Sequence, residues 1–155
     1  MDNFWKAITV FLALGGVYIA YQQFRLGREK LKLDLFDKRF AVFAAIRRFL
    51  SVIASEGKVQ MEQLFEYRRS VAEASFLFES DITTFIEEID KHALRLWVVK
   101  EKDSATPVGD EKVKLADEWG KEMTWLMDQL PELKPRFAPY LKFGVWRRGF
   151  LSLGS

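Results

Sequence analysis

The sequence predicts an all-α protein, an N-terminal transmembrane helix followed by a cytoplasmic helical bundle of about four helices. Three observations carry this reading. The run from Ala7 to Tyr21 holds no charge and is followed by a basic cluster. Beyond the cluster, apolar residues recur at steps of three and four, the period of a helix with one buried face. No pair of alternating apolar and polar runs marks a sheet, and no internal repeat is present.

The first element is the anchor. A helix crossing ~30 Å of hydrocarbon needs roughly 20 residues, with about 17 as the lower limit. Ala7–Tyr21 falls short, but Phe4 and Trp5 extend it to a span from Phe4 to Tyr21, with the Lys6 ammonium snorkelling outward. Trp5 at one end and Tyr18 and Tyr21 at the other match the aromatic belts of the two interfaces. A cleaved signal peptide fits less well, because Tyr18-Ile19-Ala20 puts a bulky ring where a small residue is needed. A buried core helix would show a polar stripe, and Ile8 to Tyr21 has none beyond Thr9. Basic residues set the orientation: Arg25, Arg28, Lys30 and Lys32 lie on one side, against Lys6 and Asp2 on the other. The positive-inside rule then places the N-terminus outside and residues 22–155 in the cytoplasm. Gly16 and Ala20 form one small-xxx-small pair suited to close helix packing in lipid.

The elements of the second domain follow in order. Leu33, Phe36, Phe40, Phe43, Ile46, Leu50 and Ile53 form the stripe of a long first helix, continuous with the anchor unless Gly27 bends it, and ending at Glu56-Gly57. A second helix runs from Val59 to about Ala74 with Met61, Leu64 and Phe65 inward, and Phe76-Leu77-Phe78 reads as a buried corner. Ser80 or Asp81 caps a third helix carrying Ile82, Phe85, Ile86, Ile89, Ala93, Leu96 and Val99. Residues 103–109 form a loop. A fourth helix starts near Asp110 and carries Val113, Leu115, Trp119, Met123, Leu126 and Met127, with Pro131 as its end; Leu133–Leu141 then makes a short separate helix. The tail from Phe143 to Leu151 alternates rings with Arg147 and Arg148, suited either to the bilayer surface or to covering the bundle end.

Composition narrows the function classes. With no cysteine, disulfides, thiol catalysis and cysteine-based metal sites are excluded. The net charge of +2 hides an asymmetry, since residues 22–48 hold eight basic side chains against three acids. This excess sits beside the expected anchor, where anionic headgroups attract each Lys or Arg by ~1 kcal/mol. That reading is preferred to a nucleic-acid stripe, because residues 49–155 are net acidic. His92 is the single histidine; with Glu88 it could begin a metal site, but zinc hydrolases and di-metal bundles need more ligands. The acids Asp81, Glu87, Glu88 and Asp90 read as a solvated helix face rather than paired catalytic carboxylates. Glu66, Arg68, Arg69 and Glu73 are candidates for ion pairs within or between helices. No nucleophile elbow or phosphate loop is present.

The run Tyr21-Gln22-Gln23-Phe24-Arg25, with Arg28 to Phe43 behind it, resembles the juxtamembrane stretch YxQxRxxREKLRLDLFDKRFxVY of a group of small bacterial single-span membrane proteins. Phe76-Leu77-Phe78 before Ile82, and Phe137-Ala138-Pro139-Tyr140-Leu141, are similar to later features of that group. The resemblance implies inner-membrane topology. The group has no established activity, so no catalytic residue is carried over.

The expectation is therefore a non-enzymatic, membrane-anchored interaction or scaffold protein without a cofactor. Its contacts are the lipid bilayer, through Arg25, Arg28, Lys30 and Lys32, and a protein partner or further copies of itself, but no nucleic acid. The alternative is a small membrane effector that oligomerises through Gly16 and Ala20 in stress or phage defence.

Overall fold

The computed structural model describes residues 2–142, with side chains from Gly16 onward. Four helices of three turns or more and one single turn make up the described residues, with no strand: α1 (Asp2–Glu56), α2 (Met61–Val71), the single turn α3 (Ala74–Leu77), α4 (Ser80–Ala105) and α5 (Asp110–Leu141). The all-helical bundle is as the sequence predicts. The transmembrane helix is not displayed: among the described residues no helix is long and apolar enough to cross a membrane. The expected span Phe4–Tyr21 lies within α1, but its side chains before Gly16, and the whole Phe143–Leu151 tail, are outside the described residues. The chain divides into two compact units, residues 1–37 and 38–155, with the boundary inside α1.

Within residues 38–142 the helices form an antiparallel bundle. Phe49 stacks on Tyr67 while Lys38 reaches Glu73, so α2 runs back along α1. His92 meets Glu122 and Asp81 meets Tyr140, so α5 runs back along α4. Phe43 packs on Phe137 and Arg39 reaches Tyr140, which closes α5 against α1. The four-residue connections at 57–60 and 106–109 suit such neighbours. The first turns on Gly57, whose φ of 63° is left-handed and disfavours a side chain. The core holds Val42, Ile46, Phe49, Leu50 and Ile53 from α1, Leu64, Tyr67 and Val71 from α2, and Ile82, Phe85, Ile89 and Leu96 from α4. Leu126, Leu133 and Phe137 of α5 complete it.

Four expectations are corrected. Pro131 does not end a helix, because α5 continues through Pro131, Pro135 and Pro139 to Leu141. The three prolines are four residues apart and exposed, so they share one outer ridge. The carbonyls of Met127, Pro131 and Pro135 lose their N–H partners on the side where water replaces them. Leu126, Leu133 and Phe137 are buried along the opposite face and hold the helix to the core. Second, α4 starts at Ser80 after Glu79, whose side chain makes no capping bond; Asp81 lies in the first turn and favours the positive helix end. Third, Phe76-Leu77-Phe78 is not a buried corner throughout, since α3 sinks Phe78 and leaves Phe76 88% exposed. Fourth, Phe65 is 51% exposed rather than inward, because Leu64, Tyr67 and Val71 define the buried face of α2. Along α1 the buried stripe likewise begins at Val42, whereas Leu33 is 50% exposed. The helix passes through Gly27 without interruption.

Candidate functional site

Between Gly16 and Leu33, α1 carries large apolar side chains on every side. Val17, Tyr18, Ile19, Tyr21, Phe24, Leu26, Leu31 and Leu33 are all half exposed or more. At 100° per residue, Val17, Tyr18 and Ile19 cover an arc of about 200°, and Ala20 and Phe24 fall in the remainder. The four basic residues singled out from the sequence follow directly. Arg25 faces Glu29 one turn on at 3.7 Å, and the Arg28 guanidinium lies 5.4 Å from the Phe24 ring centroid. Lys30 and Lys32 are exposed. Such a girdle next to cations can contact lipid headgroups or the face of another helix. Gly16 and Ala20 are also exposed, and a Cβ built at Gly16 meets no heavy atom within 4 Å. The close approach of a second helix would meet no steric bar there.

The second feature is a groove of about 650 Å³ between α1 and α2. Ala41, Ala44, Ala45 and Val52 leave room along α1, and the stacked rings of Phe49 and Tyr67 line it, their centroids 4.4 Å apart. Arg48 and Glu66 face each other at 3.7 Å on its rim. Glu56 at one end is fixed by the side-chain amides of Gln63 and Gln60, which donate to it at 3.2 and 3.5 Å. The groove thus combines small side chains of α1 with a polar rim from α2.

The titratable groups of the bundle tie helices together. The Arg68 guanidinium forks onto the Asp90 carboxylate at 2.6 and 2.9 Å, and this hydrogen bonding raises the Arg68 pKa further above its usual value. The Tyr67 hydroxyl donates to the Ile86 carbonyl at 3.0 Å; burial, with Asp90 near by, drives its pKa well above the usual phenol value. At the far end, the Tyr140 hydroxyl donates to Asp81 at 2.7 Å, and burial together with that bond pushes its pKa up to about 12. Arg39 donates to the Leu77 and Tyr140 carbonyls and lies over the Phe78 and Tyr140 rings; burial lowers its pKa. His92 pairs with Glu122, not with Glu88, and stacks on Trp125 with centroids 3.7 Å apart. Among the described residues no three or more histidine or acidic side chains gather as for a metal ion.

Of the residues picked from the sequence, Arg25, Arg28, Lys30 and Lys32 are on one exposed stretch, as spacing alone requires. The acids Asp81 and Asp90 are hydrogen-bonded to Tyr140 and Arg68, while Glu87 and Glu88 are exposed. Glu66, Arg68 and Glu73 each pair with a residue on another helix: Arg48, Asp90 and Lys38. The groove is not among the features the sequence predicts, although Ala41, Ala44, Ala45 and Val52 at helical spacing carry its signal. The Arg39 corner and the His92–Glu122 pair have no local signal.

These features define an all-α bundle preceded by an exposed apolar and basic helical segment. Comparison with known proteins adds no relative: no family model, no curated protein and no solved structure matches the chain.

Proposed function

We propose that the protein is a membrane-anchored, non-enzymatic helical interaction or scaffold protein. Phe4–Tyr21 spans the bilayer, Arg25, Arg28, Lys30 and Lys32 meet the headgroups, and the bundle faces the cytoplasm of a bacterial cell. The observation that carries this reading is the exposure of Val17, Tyr18, Ile19 and Tyr21, with no charge among them, immediately ahead of those cations. A helix apolar on every side is covered by protein or by lipid, and juxtamembrane cations favour lipid here. The bundle serves as the recognition surface, and the α1–α2 groove is one face that can take a partner. No catalytic residue, cofactor or metal is assigned.

The test is fractionation of cells making the full chain, with a form lacking residues 1–21 beside it. The full chain should sediment with membranes, resist a carbonate wash and dissolve only in detergent, whereas the shortened form should not. Recovery of the intact chain in a detergent-free supernatant as a monodisperse species refutes the reading. A C-terminal reporter active only in the cytoplasm checks the orientation.

A second reading, a small oligomerising membrane effector in stress or phage defence, is favoured by the open approach at Gly16 beside exposed Ala20. Under it, inducing the full chain, but not the form lacking residues 1–21, arrests growth and collapses the membrane potential.

A further inference from the structure

The exposed side chains of α1 fall into two rows with the same period. Val17, Phe24 and Leu31 are seven residues apart, and so are Ile19, Leu26 and Leu33. All six are between 50% and 69% exposed. A seven-residue step returns to nearly the same side of a helix, and a two-residue offset turns 200°. The two rows therefore lie on opposite sides. The cations of this segment border them, with Glu29, Asp34 and Asp37 interspersed.

Lipid does not account for the lower part of these rows. Phe24, Leu26, Leu31 and Leu33 are interleaved with Arg25, Arg28, Lys30 and Lys32, and each cation costs about 2.5–3.5 kcal/mol at the centre of a bilayer. Lying flat in the interface fails as well, because it buries one face and leaves the opposite row in water. A heptad period on both sides is the pattern that packs against other helices. The charges select the partner. In a parallel pair with one row of the first helix against the opposite row of the second, Arg28 and Lys32 border the first row, and Glu29 of the neighbouring copy lies at about their height. On the other flank, Asp34 lies within about a turn of the neighbour's Lys30. The chain supplies both halves of that complementarity itself.

We propose that α1 is a self-association surface on which the Phe24–Leu31 row of one copy seats against the Leu26–Leu33 row of the next. Such a contact joins unlike patches, so each copy offers two of them and assembly proceeds beyond a dimer. This deepens the reading of the protein as a membrane-held interaction module by naming a partner, and rests on it only for the parallel alignment of copies.

The test uses two full-length variants: Phe24→Glu with Leu31→Glu, and Leu26→Glu with Leu33→Glu. Each is purified in mild detergent and its mass measured by sedimentation, and membrane fractionation is run in parallel. The wild type should form species larger than a dimer, and each variant alone should be monomeric. An equimolar mixture of the two should recover a 1:1 heterodimer, because one intact row remains on each. Membrane association should survive in both variants, which separates failure here from failure of the anchor. A monomeric wild type overturns the proposal. So does an assembly insensitive to either variant, a mixture that stays monomeric, or stoichiometric binding of a different protein to monomers. The absence of native cysteine supplies a check in native membranes. Leu31→Cys combined with Leu33→Cys should oxidise into a ladder of oligomers. Leu31→Cys alone should remain a covalent monomer, since its one thiol faces the neighbour's Leu33, and a disulfide dimer formed from it in equal yield would place like rows together and overturn the unlike contact. The exposed positions leave the bundle's thermal transition as a control for folding.

Discussion

Replacing Pro135 by alanine distinguishes a continuous α5 from two shorter helices. In α5, Pro135 is exposed, lies between buried Leu133 and Phe137, and offers no N–H to the Pro131 carbonyl one turn earlier. Proline inside a helix is about 3 kcal/mol worse than alanine, from the missing bond and from the ring against the preceding turn. Part of that strain is already relieved where the helix gives way around its prolines on the solvent side. The new N–H recovers a bond worth about 0.5–1.5 kcal/mol net, and the more flexible unfolded chain takes back about 0.4–1. Adding relief of the ring contact, Pro135→Ala should stabilise the bundle by about 1–2 kcal/mol. For a domain of about 100 residues that raises Tm by roughly 4–15 °C. Thermal melts of the full-length protein followed by far-ultraviolet circular dichroism read this directly. If a helix instead ended at Pro131 and another began at Leu133, residue 135 would occupy a first turn, where an N–H has no helical partner and proline is tolerated. An unchanged or lowered Tm would refute the continuous helix.

Three further outcomes follow from the packing. Phe137 is fully buried against Phe43 and Phe78, so Phe137→Ala should cost about 3–5 kcal/mol in denaturant unfolding, and a loss under about 1 would contradict its central place. A double-mutant cycle on Arg68→Ala and Asp90→Ala should give a coupling of about 1 kcal/mol; a value near zero would make the forked pair incidental. The Tyr140 phenol, raised from 10.0 to about 12, keeps its proton in the fold at a pH where the unfolded chain releases it. Its contribution is intact below pH 10 and is lost as the pH rises towards 12, so Tyr140→Phe should flatten that part of the stability profile, and an unaltered slope would refute the assignment.

The sequence was most legible where one face of a helix repeats over several turns. The spacing predicts Ile82, Phe85, Ile86, Ile89, Ala93, Leu96 and Val99 as the inner face of α4, and all are buried. The stop at Gly57 was equally plain, because a left-handed residue there needs glycine. Reading failed where local and tertiary preferences oppose each other. Pro131 is a breaker by its own chemistry, but Leu126, Leu133 and Phe137 lie on the opposite face, and their burial outweighs it. Hydrophobicity alone predicts Phe65 and Phe76 to face inward, and both are exposed. In α1 the spacing predicts a stripe from Leu33, about two and a half turns ahead of buried Val42, because it continues past the point where a core exists to receive it. Long-range pairs such as His92–Glu122, Arg39–Tyr140 and Tyr67–Ile86 leave no trace in spacing, since each joins residues far apart in the chain.

The exposed apolar side chains of α1 do not all call for the same solvent. Between Val17 and Tyr21 no charge interrupts them, so hydrocarbon can surround the helix without burying an ion. From Arg25 onward a cation or an acid stands within a turn of every apolar residue, and hydrocarbon is closed to it. The change falls in the short stretch between Tyr21 and Arg25. Leaving Phe24, Leu26, Leu31 and Leu33 in water forgoes about 1.5–3 kcal/mol for each side chain that burial would gain. On the proposed reading, the side chains above that change are satisfied by lipid and those below it by another helix. A charge introduced at Leu26 and Leu33 therefore acts on association and leaves membrane binding in place, whereas removing residues 1–21 acts first on membrane binding.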